Sequence, residues 1–179
     1  MPPPAAITIR EATTPEDLAT ARTLLREYAA YLNASLGAEH ICLDSYEKEL
    51  ANLPGLYAQP GGTLLLAFLD DQPAGCGALK PLTPTRAATL NECACEMKRL
   101  WVRPQHRGHS LGKQLAEALL EHARQRNYTA IYLDTIPDAM PEAHRLYTKL
   151  GFEPVEQYAV NLVLGEDTKL DIHFYRRPL

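Results

Sequence analysis

The chain has 179 residues, 46% of them hydrophobic and 22% charged, with a net charge of −4 and a pI near 5.9. That length suits one domain with a sizeable core, spanning residues 1–179, and the composition is that of an ordinary soluble globular protein. The acidic balance excludes nucleic acid as an expected partner, because phosphate backbones need a basic face.

No run approaches the roughly 18 consecutive apolar residues of a membrane span, so no membrane partner is expected. The Met-Pro-Pro-Pro-Ala-Ala start lacks the charged and then apolar character of a signal peptide, which leaves a cytoplasmic location as the expectation. Four cysteines, Cys42, Cys76, Cys93 and Cys95, do not form a disulfide framework. Cys93-Ala94-Cys95 has no matching Cys/His pair at zinc-site spacing, so no metal is expected and the thiols read as buried groups of a strand.

In chain order, Ile7 to Arg10 is short and β-branched, the pattern of an edge strand. Thr14-Pro15-Glu16-Asp17 reads as a helix start, with a capping hydroxyl, a first-turn proline and acids at the positive end. Leu18, Ala21, Leu25, Tyr28, Ala29 and Leu32 follow at helical spacing. Asn33 to Leu43 then reads as a loop and Asp44 to Leu50 as a short helix.

Thr63 to Leu69 is a nearly continuous apolar run, a buried strand. Asp70-Asp71-Gln72-Pro73 supplies turn chemistry and Ala74 to Lys80 returns, making a hairpin. Pro81 to Asn91 is a surface connection and Cys93 to Arg103 the next strand. A helix marked by Leu111, Leu115 and Leu119 runs to about Arg126, followed by a strand over Tyr128 to Asp134. Met140, Ala143, Leu146, Tyr147 and Leu150 mark another helix, closed by Gly151. Phe152 to Val155, Tyr158 to Leu164 and Thr168 to Tyr175 are final strand candidates, with Gly165-Glu166-Asp167 as the last turn. The order predicts an α/β (α+β) fold: a mixed, mostly antiparallel sheet of six to seven strands with helices on both faces.

One strand breaks its own period. Cys95 and Met97 share one face, whereas Leu100 and Val102 have the opposite parity. Either a β-bulge or burial on both faces accounts for this. The strand leads through Pro104 into a glycine-bearing loop that opens a helix, where unpaired backbone N–H groups and the helix dipole favour phosphate. The basic residues nearby, Arg99, Arg103, Arg107 and Lys113, are local, which suits a small anionic ligand.

Gln105-x-x-Gly108-x-Ser110, placed after that strand, and Ala143-x-x-Leu146-Tyr147-x-x-x-Gly151-Phe152, placed after the next one, resemble the two signature blocks of the GNAT superfamily of acyl-CoA-dependent N-acyltransferases. Ser110 stands where Gly or Ala is usual, Gly112 supplies a second glycine, and Met140 replaces an Asn common three residues before Ala143. The resemblance, which extends over nearly the whole chain in element order, implies acetyl-CoA as co-substrate. It assigns the pyrophosphate to Arg107, Gly108, His109, Ser110, Leu111, Gly112 and Lys113. The pantetheine arm falls to the backbone of Leu100, Trp101 and Val102, with Ala143 and Tyr147 beside it.

The same resemblance implies acetyl transfer to a primary amine by direct attack, with Tyr147 as general acid toward the leaving thiolate. Glu96, on the strand before the loop, is the expected base, with Tyr158, His144 or no dedicated base as alternatives, and Asp134 beside the cleft. A covalent route through Cys95 lacks a base that can be named from sequence. The rival from another class is a CoA-binding regulatory module without turnover. The expected acceptor is a small-molecule amine, and the expected state a monomer or homodimer.

Overall fold

The computed structural model describes residues 5–37, 43–83, 91–159 and 170–179. β1 (Ile7–Glu11) is the outermost strand on one side of the sheet. α1 (Pro15–Leu36) starts from the expected cap: the Thr14 hydroxyl accepts from the Asp17 amide at 3.1 Å, and the Asp17 carboxylate accepts from the Thr13 and Thr14 amides at 3.1 and 3.2 Å. Arg10 of β1 donates two hydrogen bonds of 2.7 Å to the same carboxylate, so the cap also ties helix to strand. α1 runs on to Leu36 and stops at Gly37 (φ 71°), so Asn33 to Leu36 is helix rather than loop. Polar residues on an exposed helix face do not end a helix; a left-handed glycine does. α2 (Leu43–Ala51) follows as expected.

β2 (Thr63–Leu69) and β3 (Gln72–Pro81) form the hairpin, turned by Asp70 and Asp71 with φ of 48° and 60°. Two left-handed residues match the twist of the strands they join. The remaining elements are β4 (Ala94–Val102), α3 (Leu111–Gln125), β5 (Ala130–Thr135), α4 (Pro141–Lys149), β6 (Glu153–Val155) and β7 (His173–Pro178). Gly151 closes α4 with φ 78°.

The last strand is later than its pattern suggested, beginning at His173 and reaching Pro178 rather than spanning Thr168 to Tyr175. Arg176 and Arg177 hide the strand in the sequence, yet Arg176 is matched by an ion pair with Glu92. Tyr158 and Ala159 lie outside any strand. The rest of that candidate strand, the Gly165 turn, Glu39, Cys42 and most of the Pro81 to Asn91 connection fall outside the described residues.

The sheet has seven strands in the order β1-β2-β3-β4-β5-β7-β6, antiparallel except for β4 against β5. α1 and α2 cover one face, burying Leu24, Leu25, Tyr46 and Leu50 against Leu64, Leu66 and Trp101. α3 and α4 cover the other, burying Leu115, Leu119 and Tyr147 against Leu65, Cys95, Met97 and Leu100.

The parity break in β4 is a bulge. Ala78 of β3 faces Lys98 and Cys76 faces Trp101, so Gly77 alone opposes both Arg99 and Leu100. Arg99 takes a φ of 60°, the left-handed form of bulge normally given to glycine, at a cost of roughly 1–2 kcal/mol. The extra residue returns Leu100 to the face already held by Cys95 and Met97, and turns Trp101 to the α1 side. Gly77 fits the same spot, since a Cβ there would stand 3.0 Å from a Leu119 methyl and 3.3 Å from a Leu100 methyl.

Pairing of β4 with β5 ends just before the bulge. It runs from Ala94 and Ala130 only to Glu96 and Tyr132, while β4 continues to Val102 and β5 to Thr135. A gap between two diverging parallel strands results, floored by the helices.

Hydrogen bonds from Arg10, opposed by burial and helped by the Thr13 and Thr14 amides, hold the Asp17 carboxyl well below the usual carboxylate range. A depressed folded pKa contributes stability that is complete above the unfolded value of about 3.9 and is lost as pH falls toward the folded one. Asp17→Ala is expected to cost about 1–2 kcal/mol at pH 7. Urea titrations at pH 7, 5, 4 and 3 should show the gap between variant and wild type closing only below about pH 4.

Candidate active site

The loop after β4 leaves its amides unused. The first hydrogen bond of α3 is from the Gln114 amide to the Ser110 carbonyl at 3.0 Å, and the amides of Gly108 through Lys113 make none among the described residues. Gly108 (φ 87°) and Ser110 (φ 61°) are both left-handed, which turns successive N–H groups toward one side. A Cβ on Gly108 would meet nothing within 4 Å, so the glycine is there for its backbone conformation and not for lack of room. The Lys113 side chain is exposed and lies 3.6 Å from Glu117, and His109 is exposed. Backbone, more than side-chain charge, makes this an anion site.

Two connected hollows run from this loop into the gap between β4 and β5. The outer one is bordered by Val102, Arg107, Gly108, Ser110, Leu111 and Gly112 on one side and by Glu142 and Leu146 of α4 on the other. The inner one is walled by Lys98 and Arg99 of β4, Asp134 and Thr135 of β5, and Tyr28 and Tyr46 of α1 and α2. Leu100, Met140 and Ala143 border both, so the two form one cleft. Tyr147 borders the inner part, its hydroxyl making no hydrogen bond among the described residues. Burial pushes its phenol far up, and nearby Tyr28 and Asp134 add to the effect, so it stays protonated at any working pH.

The gap therefore brings Tyr147, Leu100, Val102 and Ala143 together with Arg107, Gly108, Ser110, Leu111 and Gly112, while His109 and Lys113 lie outside its lining. Trp101 is different: its ring is 2% exposed and packs against Tyr28 and Tyr31 at 5.5 and 4.9 Å, leaving only its backbone on the strand. Arg107 also turns away from the loop's open amides. Its guanidinium lies over the Tyr31 and Trp101 rings at 4.9 and 5.3 Å and donates to the Val102 carbonyl at 3.3 Å.

Glu96 is not brought to the cleft with Tyr147. It is 3% exposed and enclosed by Lys80 (2.9 Å), Lys98 (3.4 Å) and the Tyr158 hydroxyl, which donates to it at 2.7 Å. The carboxylate on the cleft wall is Asp134, which accepts from Lys98 at 2.6 Å. Burial works against the Lys98 charge, but Asp134 and Glu96 outweigh it and hold its pKa up. His144 faces Tyr175, whose hydroxyl lies 2.9 Å from its Nδ1, and takes no part in the cleft. Cys95 is sealed in the core with its thiol pushed up by burial, an environment that makes no nucleophile.

Sequence reasoning passed over Lys98, Tyr28 and Tyr46, and it counted Arg99 among the local basic residues suited to a small anion without assigning it a place in the cleft. Arg99 is paired with Glu49 of α2, its Nε and Nη2 donating at 2.9 and 2.6 Å. The parity break was the available signal, since a bulge re-aims the side chain it carries.

Comparison with known proteins agrees with this geometry. Residues 21–152 match the acetyltransferase (GNAT) family. The chain belongs to that family. It is 33% identical over 159 residues to an uncharacterized N-acetyltransferase of Schizosaccharomyces pombe, covering 88% of this chain and 90% of that one. It is 31% identical over 138 residues to the N-acetylaspartate synthetase of Mus musculus, covering 73% of this chain and 44% of that protein. Among solved structures, a GNAT acetyltransferase of Staphylococcus aureus superposes with a TM-score of 0.73 at 22% identity, covering 97% of this chain and 99% of that one. An acetyltransferase of Salmonella typhimurium, solved with its cofactor acetyl-CoA, superposes with a TM-score of 0.67 at 21% identity, covering 97% and 94%. The fold and the family are thus shared, and the chain is an acyltransferase of this group.

Removing one member of a buried charge cluster leaves the others unpaired, whereas a solvated pair contributes little. Glu96→Gln is expected to cost about 3 kcal/mol in urea denaturation. Glu47→Gln, in an exposed pair with Arg26, should barely move the midpoint.

Proposed function

We propose that this chain is a single-domain cytoplasmic enzyme that moves an acetyl group from acetyl-CoA to the primary amine of a small molecule by direct attack. The observation that carries the reading is the run of amides from Gly108 to Lys113, unpaired among the described residues, at the mouth of a cleft that leads to Tyr147. Those amides suit a pyrophosphate, and the edge of β4 beyond Glu96, where pairing with β5 has ended, suits an extended amide-bearing arm laid along Leu100 and Val102. The name of the mouse relative, N-acetylaspartate synthetase, supports a small-molecule acceptor.

Acetyl-CoA brings the activated acyl group, and the residues of this chain divide the remaining work. Tyr147, kept neutral by burial, holds a proton in the cleft for the departing sulfur. Asp134 is the carboxylate positioned to receive the acceptor's ammonium and orient it. Glu96 acts through Lys98, whose charge fixes Asp134; the base role expected of it is better matched by water reaching the cleft.

Tyr147→Phe is expected to lower kcat by roughly 10²–10⁴-fold with little change in CoA affinity. Because its pKa lies far above the ordinary tyrosine value, its ionisation should add no falling alkaline limb to the wild-type pH–rate profile below pH 10. A full-rate Phe variant would remove the residue from the mechanism. If instead CoA binds tightly, no amine is acetylated and the variant behaves as wild type, the chain is a CoA sensor.

Gly108→Val should weaken CoA at least tenfold by calorimetry, because a branched residue resists the φ of 87° that aims the amides. Normal affinity in that variant would move the pyrophosphate elsewhere.

A further inference from the structure

Arg99 is gripped from α2 at an unusual backbone position. Its backbone φ of 60° is one that glycine adopts freely and arginine does not, and such conformations persist where the surroundings over-determine them. The side chain is 8% exposed. Glu49 grips it from one edge, taking Nε–H at 2.9 Å and one N–H of Nη2 at 2.6 Å. The Tyr57 hydroxyl donates to that carboxylate at 2.6 Å, and the Tyr46 ring lies 5.0 Å from the guanidinium carbon. Burial opposes the Glu49 charge, yet the Arg99 bonds prevail and keep it ionised.

A guanidinium carries five N–H donors. Glu49 uses two of them, and Nη1 has no hydrogen bond among the described residues. Among those residues the sealed side-chain polar atom lacking a partner is Trp101 Nε1, so Nη1 is not sealed. The open space that Arg99 borders is the inner cleft. Tyr57 also stands within reach of the guanidinium, and the nitrogen left without a hydrogen bond among the described residues is Nη1, part of a planar fork that matches a carboxylate.

We propose that Arg99 binds a carboxylate of the acceptor, so that the substrate class is an amino acid or another amine bearing a carboxylate. The inference rests on the acetyl-transfer reading. Arg99 borders the cleft from β4, and Asp134, held by Lys98 at 2.6 Å, borders it from β5. An amine without the acid would leave a desolvated fork unpaired, which a site of this kind rejects strongly.

Thiol release from acetyl-CoA is to be followed with matched sets of an α-amino acid, its amide and its decarboxylated amine, over several side chains. The acid is expected to exceed both analogues in kcat/KM by about 100-fold. In the double variant Arg99→Gln/Glu49→Gln, which leaves neither charge buried alone, that ratio should fall to within about threefold. Arg99→Lys keeps the charge without the fork, and should lower the ratio about tenfold if the double variant does not fold.

Equal use of acid and amide by the wild type, or survival of the ratio in a folded variant, overturns the proposal while leaving acetyl transfer intact. Should no amine be acetylated although CoA binds, the acetyl-transfer reading fails. The carboxylate site is then decided by thermal shift of CoA-loaded protein with N-acetyl amino acids against N-acetyl amines. A shift that depends on the carboxylate and disappears in the variant upholds it, and its absence overturns it.

Discussion

The buried pair of Arg99 and Glu49 is the constraint from which the rest of the architecture follows. A left-handed arginine in the middle of a strand is unfavourable by itself, and a guanidinium inside the fold is worse unless its charge is met. Glu49, with Tyr57 behind it, meets that charge and so keeps the extra residue of β4 in place. The bulge then does two things at once. It turns Trp101 into the α1 layer and Leu100 into the α3 layer, and it bends β4 away from β5 just past Glu96. The cleft exists because the sheet is prevented from closing there.

Around that opening the charges are ordered rather than merely numerous. Lys98 stands between Glu96, which is sealed, and Asp134, which borders the cleft. Tyr147 sits in the same low-dielectric surroundings without a hydrogen bond of its own among the described residues, and so keeps its proton. The amides of the glycine loop supply the positive potential at the mouth without a mobile side chain.

Features written in consecutive residues were legible from the sequence. The Thr14 cap, the Asp70-Asp71 hairpin, the Gly108 loop and the Gly151 stop each depend on backbone chemistry within a few positions, and each is present. Even the bulge showed as a change of parity between Met97 and Leu100. Features that depend on distant partners were not legible. Glu96 has the chemistry of a base, but Lys80 and Tyr158 arrive from other parts of the chain to enclose it. Arg176 and Arg177 disguised β7, because a charged residue reads as surface until Glu92 is known to lie opposite. The inner wall needs Tyr28 and Tyr46, which on their own helices are only members of an apolar stripe.

Arg107 joins the mouth of the cleft to α1, as does Arg103, whose guanidinium pairs with Glu27 of that helix. Arg107 belongs to the loop at the mouth, yet its guanidinium rests on Tyr31 of α1 and on Trp101, beside the tyrosine that walls the inner cleft. Any ligand that shifts the loop must therefore act on α1, and any ligand that shifts α1 must act on the loop. Where a ligand at the mouth and one at the α1 wall influence each other through such contacts, thermodynamic reciprocity makes the two influences equal.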